Sequence, residues 1–451
     1  MFFLLRSSMI YQLISIPQLF LIEVFFWIFL GGKLENSVKK TNGNVAQPRQ
    51  IARYQKQTLW SSIIGYAMDG LDMMLLSFVL PLIMKDFHLT TVQAGGISTI
   101  TMFGVVLGGA VFGILADRFG RVKVFTWTIL IFSVFTGLSA LAPSDTIFIM
   151  MRFLAGLGLG GEFGIGMTLV CESWPTQLRT KATSWVALGY QGGTLLATLL
   201  AGYVSIHFGW RGVFAIGILP AILAWWTRRN LEEPAMWVEN RKTVKKNFAI
   251  KELFANKKIT LTTIGLVILT SVQNLGYFGI MSWMPTMLAA QQHTTINGTI
   301  FWTLSTITGM VIGIIVFAWA ADKFGRKPAF ITFQISAAII VWIYFKITDP
   351  ALLVLFGSVL GFFVNGMMGG YGALLSEHYP TEIRSTAENL IFNVGRFIGG
   401  FGPLFIGFIA LHQSLSTALG MISAIYIVAA LAMLFLIPET KGRELKTIEI
   451  R

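Results

Sequence analysis

Two carboxylates three residues apart, Asp69 and Asp72, interrupt an apolar run that opens near Leu59-Trp60 and continues to about Met84. On a helix that spacing places both on one face. Inserting a carboxylate into an apolar medium costs about 2.5–3.5 kcal/mol, so such a group is paired, hydrogen-bonded or able to take up a proton. A carboxyl in that position can load a proton on one side of an apolar barrier and release it on the other. Three more ionisable residues lie in similar runs: Arg152 within Met150-Met-Arg-Phe-Leu154, Glu162 after the Gly156–Gly161 stretch, and Arg396 within Asn393-Val-Gly-Arg396. A buried guanidinium needs an anion, and its planar fork suits a carboxylate. For Arg152 the candidates are Asp69 or Asp72, or a carboxylate on a bound substrate. A switch between them would couple proton and substrate binding. Arg396 has only Glu388 as an acid in its own run and favours an anionic substrate, or pairs with an acid from elsewhere. Glu162 is a candidate gate or proton-relay acid, or else a structural partner of an arginine.

These residues need a bilayer to be exceptional, and the composition supplies one. The chain has 451 residues, 55% of them hydrophobic and only 12% charged, against about 25% charged in soluble proteins. Continuous apolar runs recur, each long enough for a helix of about 20 residues across a membrane, and their continuity argues against a barrel. The net charge of +13 is explained by charge asymmetry between loops, so no nucleic-acid partner is expected. Cys171 is the only cysteine and the five histidines are scattered, so no metal site and no cofactor are expected. The Gly156–Gly161 run lacks a preceding strand and a following Lys-Ser/Thr, which argues against a nucleotide loop. Small residues there suit close helix packing.

From Leu59 onward twelve spans are expected, near 59–84, 95–116, 123–142, 146–170, 182–206, 211–228, 259–284, 297–321, 328–347, 350–374, 385–410 and 414–437. Residues 1–58 form an N-terminal extension with an apolar segment at 9–32, interrupted by Pro17 and Glu23. A cleaved leader fits it poorly, because cleavage would leave the basic stretch from Lys33 to Lys56 outside. Residues 59–228 and 259–437 are read as two six-helix bundles, 229–258 as a basic linker and 438–451 as a tail. With both ends of the core in the cytoplasm, Arg118, Arg121, Lys123, Arg179, Lys181, the linker, Lys323, Arg326, Lys327, Arg384 and the tail cations lie inside. Only Lys85, Arg211 and Lys346 lie outside, as the positive-inside rule requires. The halves repeat: Asp117-Arg-Phe-Gly-Arg121 returns as Asp322-Lys-Phe-Gly-Arg326, and Glu172, Pro175 and Arg179 as Glu377, Pro380 and Arg384, each 205 residues on. At that offset Asp69 and Asp72 become Asn274 and Tyr277, and Arg152 becomes Gly357, so the charges belong to one half only. Repeats of this kind place a substrate site at the midplane between the halves.

Gly113-x-x-x-Asp117-Arg118-x-Gly120-Arg121-x-Lys123 resembles the loop between helices two and three of the major facilitator superfamily, and the second copy, with Asp322, Lys323, Gly325 and Arg326, departs from it at Ala318. Pro438-Glu-Thr-Lys-Gly442 is similar to the sugar and metabolite branches. Asp69-Gly-Leu-Asp72 resembles the first-helix motif of aromatic-acid and sialate proton symporters. Arg152 to Glu162, Glu172-Ser-Trp-Pro175 and Gly209-Trp-Arg211 are similar to the sialate and monocarboxylate branch, whereas Gly395-Arg396 with Gly402-Pro403 is nearer the aromatic-acid branch. The resemblance implies an all-α fold of twelve transmembrane helices in two pseudo-symmetric six-helix bundles. It also implies a cytoplasmic latch of Asp117, Arg121, Glu172 and Arg179 with Asp322, Arg326, Glu377 and Arg384, which breaks on inward opening.

The expected function is proton-coupled symport of a small organic anion by alternating access, with a sugar or metabolite porter or a proton-coupled efflux antiporter as the alternatives. Asp69, Asp72 and Glu162 are the proton-coupling candidates. Arg152, Arg396, Gln191, Asn274, Tyr277 and Asn393 are the substrate candidates. The protein is expected to be a monomer in a bacterial inner membrane, with no enzymatic activity.

Overall fold

The computed structural model describes residues 48–228, 231–240, 249–292 and 296–445. The apolar segment at 9–32 and most of the linker cations lie outside the described residues. Residues Gln57–Arg451 form one compact unit. The described residues are almost entirely helical, as a chain must be when lipid offers its backbone no hydrogen-bond partners.

The first half contains α1 (Pro48–Asp86), α2 (Thr91–Phe119), α3 (Arg121–Ser139), α4 (Asp145–Ser173), α5 (Arg179–Ile216) and α6 (Leu219–Arg228). Two short helices, α7 (Ala235–Asn240) and α8 (Ala249–Glu252), lie in the linker. The second half contains α9 (Lys257–Gln292), α10 (Ile296–Phe324), α11 (Arg326–Tyr344), α12 (Pro350–Gly366), α13 (Met368–His378), α14 (Arg384–Gly400), α15 (Gly402–Ala410), α16 (Leu415–Gly420) and α17 (Ile422–Leu436).

Ten of the described helical stretches are long and apolar enough to cross a membrane, or eleven if one bent pair is counted as a span. The difference from twelve arises in the fifth and sixth spans. Helix α5 bends by 104° between Thr176–Leu200 and Tyr203–Ile216, with Gly209 at φ 64°, and the sixth span continues through α6 after a break at Gly217. Other expected spans are likewise broken within their length. The tenth divides at Met367, the eleventh at Phe401 just before Pro403, and the twelfth at Met421. Proline lacks the N–H that would continue a helix, which accounts for the break before Pro403.

The repeat seen in the sequence is repeated in the helix limits. Helices α2 and α3 recur as α10 and α11 at an offset of 205 residues at both ends, and α4 recurs as α12 with α13. Gly120 (φ 116°) and Gly325 (φ 115°) make the same tight turn between these helices in each half, a backbone region that glycine enters without a Cβ clash. Within each half α2 packs on α4, and α10 on α12; between the halves α14 lies against α2 and α4, and α5 against α10 and α13. Two seams are thereby formed. The core of the first half is apolar, with Leu75, Val79, Ile129, Phe132, Phe148 and Phe214 fully buried, while many outward-facing Leu, Ile and Phe side chains are exposed, as lipid contact requires.

Candidate functional site

Helix α1 presents Asp69 and Asp72 to different partners. Asp72 stays within the first half. Arg152 donates to its Oδ2 at 2.8 Å and its Oδ1 at 3.3 Å, and the Thr136 hydroxyl donates at 2.5 Å. The Arg152 guanidinium also lies 5.5 Å from the Phe214 ring centroid. Asp69 reaches across to the second half, where Arg396 on α14 donates to Oδ2 at 3.0 Å and to Oδ1 at 3.3 Å. All four side chains are essentially sealed from solvent. A buried pair with two-point geometry holds both charges only while both partners stay, so the Asp69–Arg396 pair ties the two halves together.

Arg396 also lines a narrow cavity between the halves. From the first half come Tyr66, Tyr190 and Gln191, and from the second Gln273, Asn274 and Tyr277. The Arg396 guanidinium lies 5.6 Å from the Tyr190 ring centroid, and the Tyr66 and Tyr190 rings are 5.1 Å apart. Gln273 donates to Asn365 at 3.0 Å. The Tyr190 hydroxyl, the Gln191 and Gln273 amide oxygens and the Asn365 amide nitrogen are buried without a hydrogen-bond partner. Such a wall combines flat apolar surface with a few polar groups, as small-molecule sites do.

Of the residues expected to meet substrate, Gln191, Asn274, Tyr277 and Arg396 converge on this cavity. Arg152 and Asn393 do not line it in this conformation. The reason for Arg152 is that Asp72 and Thr136 already occupy its fork. Asn393 is turned to the seam instead, donating to the Gly160 carbonyl at 2.6 Å. Glu162 is also off the cavity. It accepts from Thr128 at 2.5 Å and lies 4.0 Å from Arg228, the last residue of the sixth expected span. Arg228 is itself buried against the Phe125 ring and donates to Ser61.

A second cluster closes the face that carries the Gly120 and Gly325 turns, here called the loop face. Glu172 on α4 accepts from Arg121 of its own half at 3.1 Å and from Arg384 of the other half at 2.7 Å. Glu377 on α13 mirrors it, accepting from Arg326 at 3.0 Å and from Arg179 at 3.5 Å. Asp117 accepts from the backbone N–H of Ser385 at 3.1 Å and of Thr386 at 2.8 Å, and from the Thr386 hydroxyl at 2.6 Å. These are first-turn N–H groups of α14, where a helix favours negative charge. Gly113 permits this approach, since a Cβ there would stand 2.9 Å from the Thr386 Cα. The second copy has Ala318 at that position. There Asp322 pairs with Arg326 at 3.3 Å while its second oxygen lacks a hydrogen-bond partner. Arg118 and Lys323 are exposed on the loop face.

Two acids outside the expected set complete the loop face. Glu233 accepts from the backbone N–H of Val122 and Lys123, each at 3.1 Å, and Glu439 accepts from those of Arg326 at 3.0 Å and Lys327 at 2.9 Å. Each therefore caps the helix after a glycine turn. Burial pushes the Glu233 carboxyl above its usual range, and its bonds to the Lys123 and Val122 backbone pull the other way. Glu439 could have been found in Pro438-Glu-Thr-Lys-Gly442. Glu233 gave no signal beyond being an acid in a basic linker.

The chain belongs to the Major Facilitator Superfamily, which it matches over residues 62–313 and 288–450. It is a multi-pass membrane transporter. It is 46% identical over 403 residues to a Haemophilus influenzae protein named for metabolite transport with no substrate specified, covering 88% of this chain and 99% of that one. It is 30% identical to the sialic acid transporter NanX of Escherichia coli (strain K12) and 31% identical to the cis,cis-muconate transport protein of Acinetobacter baylyi, covering 84% of this chain and 93% of theirs in both cases. The fold matches the proton:xylose symporter XylE with a TM-score of 0.74 at 19% identity, covering 87% of this chain and 98% of that one.

Proposed function

We propose that this transporter carries a small organic anion together with a proton, acting as a monomer with its loop face in the cytoplasm. The observation that carries the proposal is the Asp69–Arg396 pair. It is the charged link between the halves next to the cavity, and one of its members is a cavity wall. An incoming carboxylate and Asp69 compete for the same guanidinium fork. A proton on Asp69 removes its claim on Arg396, and Arg396 is then available to a substrate carboxylate. Tyr66, Tyr190 and Tyr277 offer aromatic surface, and the amides of Gln191, Gln273 and Asn365 offer polar contacts. With substrate bound and Asp69 uncharged, the charged link beside the cavity is gone, and once the loop-face pairs Glu172–Arg384 and Glu377–Arg179 part, the halves can rock about the cavity. Release of the proton on the cytoplasmic side restores Asp69, which reclaims Arg396 and displaces the substrate. Relatives named for sialic acid and cis,cis-muconate transport, both carboxylates, support the substrate class.

Arg152 and Asp72 form a fixed pair on this reading. Glu162, held by Thr128 and close to Arg228, offers a relay between Asp69 and the cytoplasm. The direct test is uptake of radiolabelled sialic acid, cis,cis-muconate and nicotinate into proteoliposomes with an acid exterior. Accumulation of at least one acid, lost when the pH gradient is collapsed, is expected. Uptake that ignores the gradient would overturn the coupling.

A further inference from the structure

One buried acid takes no part in the cavity, in the loop-face pairs or in the relay assigned to Glu162. Glu388 is fully buried on α14. It lies about 6 Å along the helix from Arg384 and about 12 Å from Arg396, at about 1.5 Å per residue. Residues on successive turns of α14 face the first half: Arg384 meets Glu172, Phe392 stacks on Phe163 with centroids 3.5 Å apart, and Arg396 meets Asp69. Glu388 falls between the first two, on the seam that must part when the loop face opens.

Among the described residues, the cation that acts on it, Arg384, is shared with another acid. The Ser376 hydroxyl on α13 donates to Oε1, and Oε2 has no hydrogen-bond partner. Thr168, Cys171 and Glu172 of α4 lie near it from the other half. Arg384, one turn away, is committed to Glu172, to the Thr381 hydroxyl and to the Ser376 carbonyl. Among the described residues the ion pairs of the loop face join four cations, Arg121, Arg179, Arg326 and Arg384, to four anions, Asp117, Glu172, Asp322 and Glu377, and the capping acids Glu233 and Glu439 add negative charge on the same face. A charged Glu388 would be an anion without a cation of its own in a dry seam, where desolvation disfavours the charged form. When the seam parts, the same carboxyl meets water and is free to ionise.

We propose that Glu388 is a proton-binding gate: the loop face closes only when the Glu388 carboxylate has taken a proton from the water on that side, and reopening returns the proton to the same side. The proton is not carried across, so it does not count in the transport stoichiometry. It makes closure depend on cytoplasmic pH, and an alkaline cytoplasm holds the protein open inward. The inference rests on alternating access but not on Asp69 or on any particular substrate.

Cys171 reports it directly. The thiol is buried on the same seam, 3.8 Å from the Gly372 carbonyl oxygen of the other half, so a maleimide reaches it only when the seam parts. The purified full-length protein is labelled with N-ethylmaleimide from pH 6 to pH 9, without substrate or gradient, beside Glu388→Gln. The ratio of wild-type to variant rates cancels the titration of the thiol and any contribution from Asp69. That ratio is expected to rise with pH, approaching tenfold per unit once the carboxyl ionises. A direct effect of the Glu388 charge on the thiol would slow the wild type and so has the opposite sign. A ratio that is flat or falls across the range would overturn the proposal. Should Glu388→Gln yield no folded protein, Glu388→Met, which is of similar bulk and cannot ionise, carries the same comparison. Failure of proton-driven uptake would leave this measurement readable, and the reverse also holds.

Discussion

Asp69 and Asp72 stand one helical turn apart and differ in what holds them. Asp72 is held by Arg152 and Thr136 within one half, and nothing in the rocking of the halves asks that pair to break. Asp69 is held by Arg396 across the seam. The difference predicts two phenotypes. Arg152→Ala leaves Asp72 buried without a counter-ion and is expected to cost about 3–5 kcal/mol of stability, read as a lower melting temperature or lost expression. Adding Asp72→Asn removes the orphaned charge and is expected to restore most of that loss, because the penalty lies in the unpaired charge. If the double variant is no more stable than Arg152→Ala, the pair is not a closed unit. The sequence marked these residues as chemically important but left Arg152 with a choice of partners. Spacing along one helix cannot say which acid a guanidinium three helices away will take. The Asp69–Arg396 contact joins positions 327 apart, and no local pattern records it.

Among the elements, α14 carries the most function per turn. Its first turn is fastened by Asp117, its middle holds Glu388 and Phe392, and its upper part supplies Arg396 to the cavity wall. Tight approach to α2 depends on Gly113. Gly113→Val is expected to push the first turn of α14 away and weaken its bonds to Asp117, at about 1–3 kcal/mol as overpacking usually costs. The loop face should then open more often, and Cys171 labelling at neutral pH should rise several-fold. Unchanged labelling would show that the contact is not needed for closure. The corresponding change at Ala318 should do much less, since Asp322 pairs with Arg326 of its own half and its second oxygen lacks a hydrogen-bond partner. This asymmetry was only half legible. The sequence showed Ala318 departing from Gly113, but the consequence depends on how near α14 comes to α2. Of the broken spans, the one before Pro403 was marked by its proline, and others were not. Breaks at Gly217, Met367 and Met421 lie inside continuous apolar runs where no charged residue marks them.

Across the whole molecule, the fold was open to reading because it is written twice. A 205-residue offset, loop charges on one side and apolar runs long enough to span are properties of sequence that bilayer physics makes nearly sufficient. Cavity residues were open to the same reading where their type stood out in an apolar run, as for Arg396 and Gln191, or fell opposite an acid in the repeat, as for Asn274 and Tyr277. The caps Glu233 and Glu439 were not, because an acid near a loop costs nothing in water. Charge balance at this scale predicts how transport is driven. A proton moving with a monocarboxylate transfers no net charge, whereas each uncompensated charge would draw about 2.3 kcal/mol from 100 mV. A potassium diffusion potential imposed with valinomycin, at equal pH on both sides, is therefore expected to leave the uptake of a monocarboxylate nearly unchanged. A several-fold stimulation would mean that more than one proton travels with it.

Coupling through Asp69 is tested most directly by comparing two reactions of one variant. Asp69→Asn is reconstituted beside the wild type, and both are assayed with the carboxylate that the wild type accumulates. One assay measures uptake against a gradient with an acid exterior. The other measures exchange of labelled for unlabelled substrate with equal pH on both sides. The wild type should perform both. The variant, with Arg396 permanently available and no proton to release, should keep exchange at a substantial fraction of the wild-type rate and lose accumulation altogether. If Asp69→Asn still concentrates substrate in response to the pH gradient, the proton is carried elsewhere and the Asp69–Arg396 pair is structural.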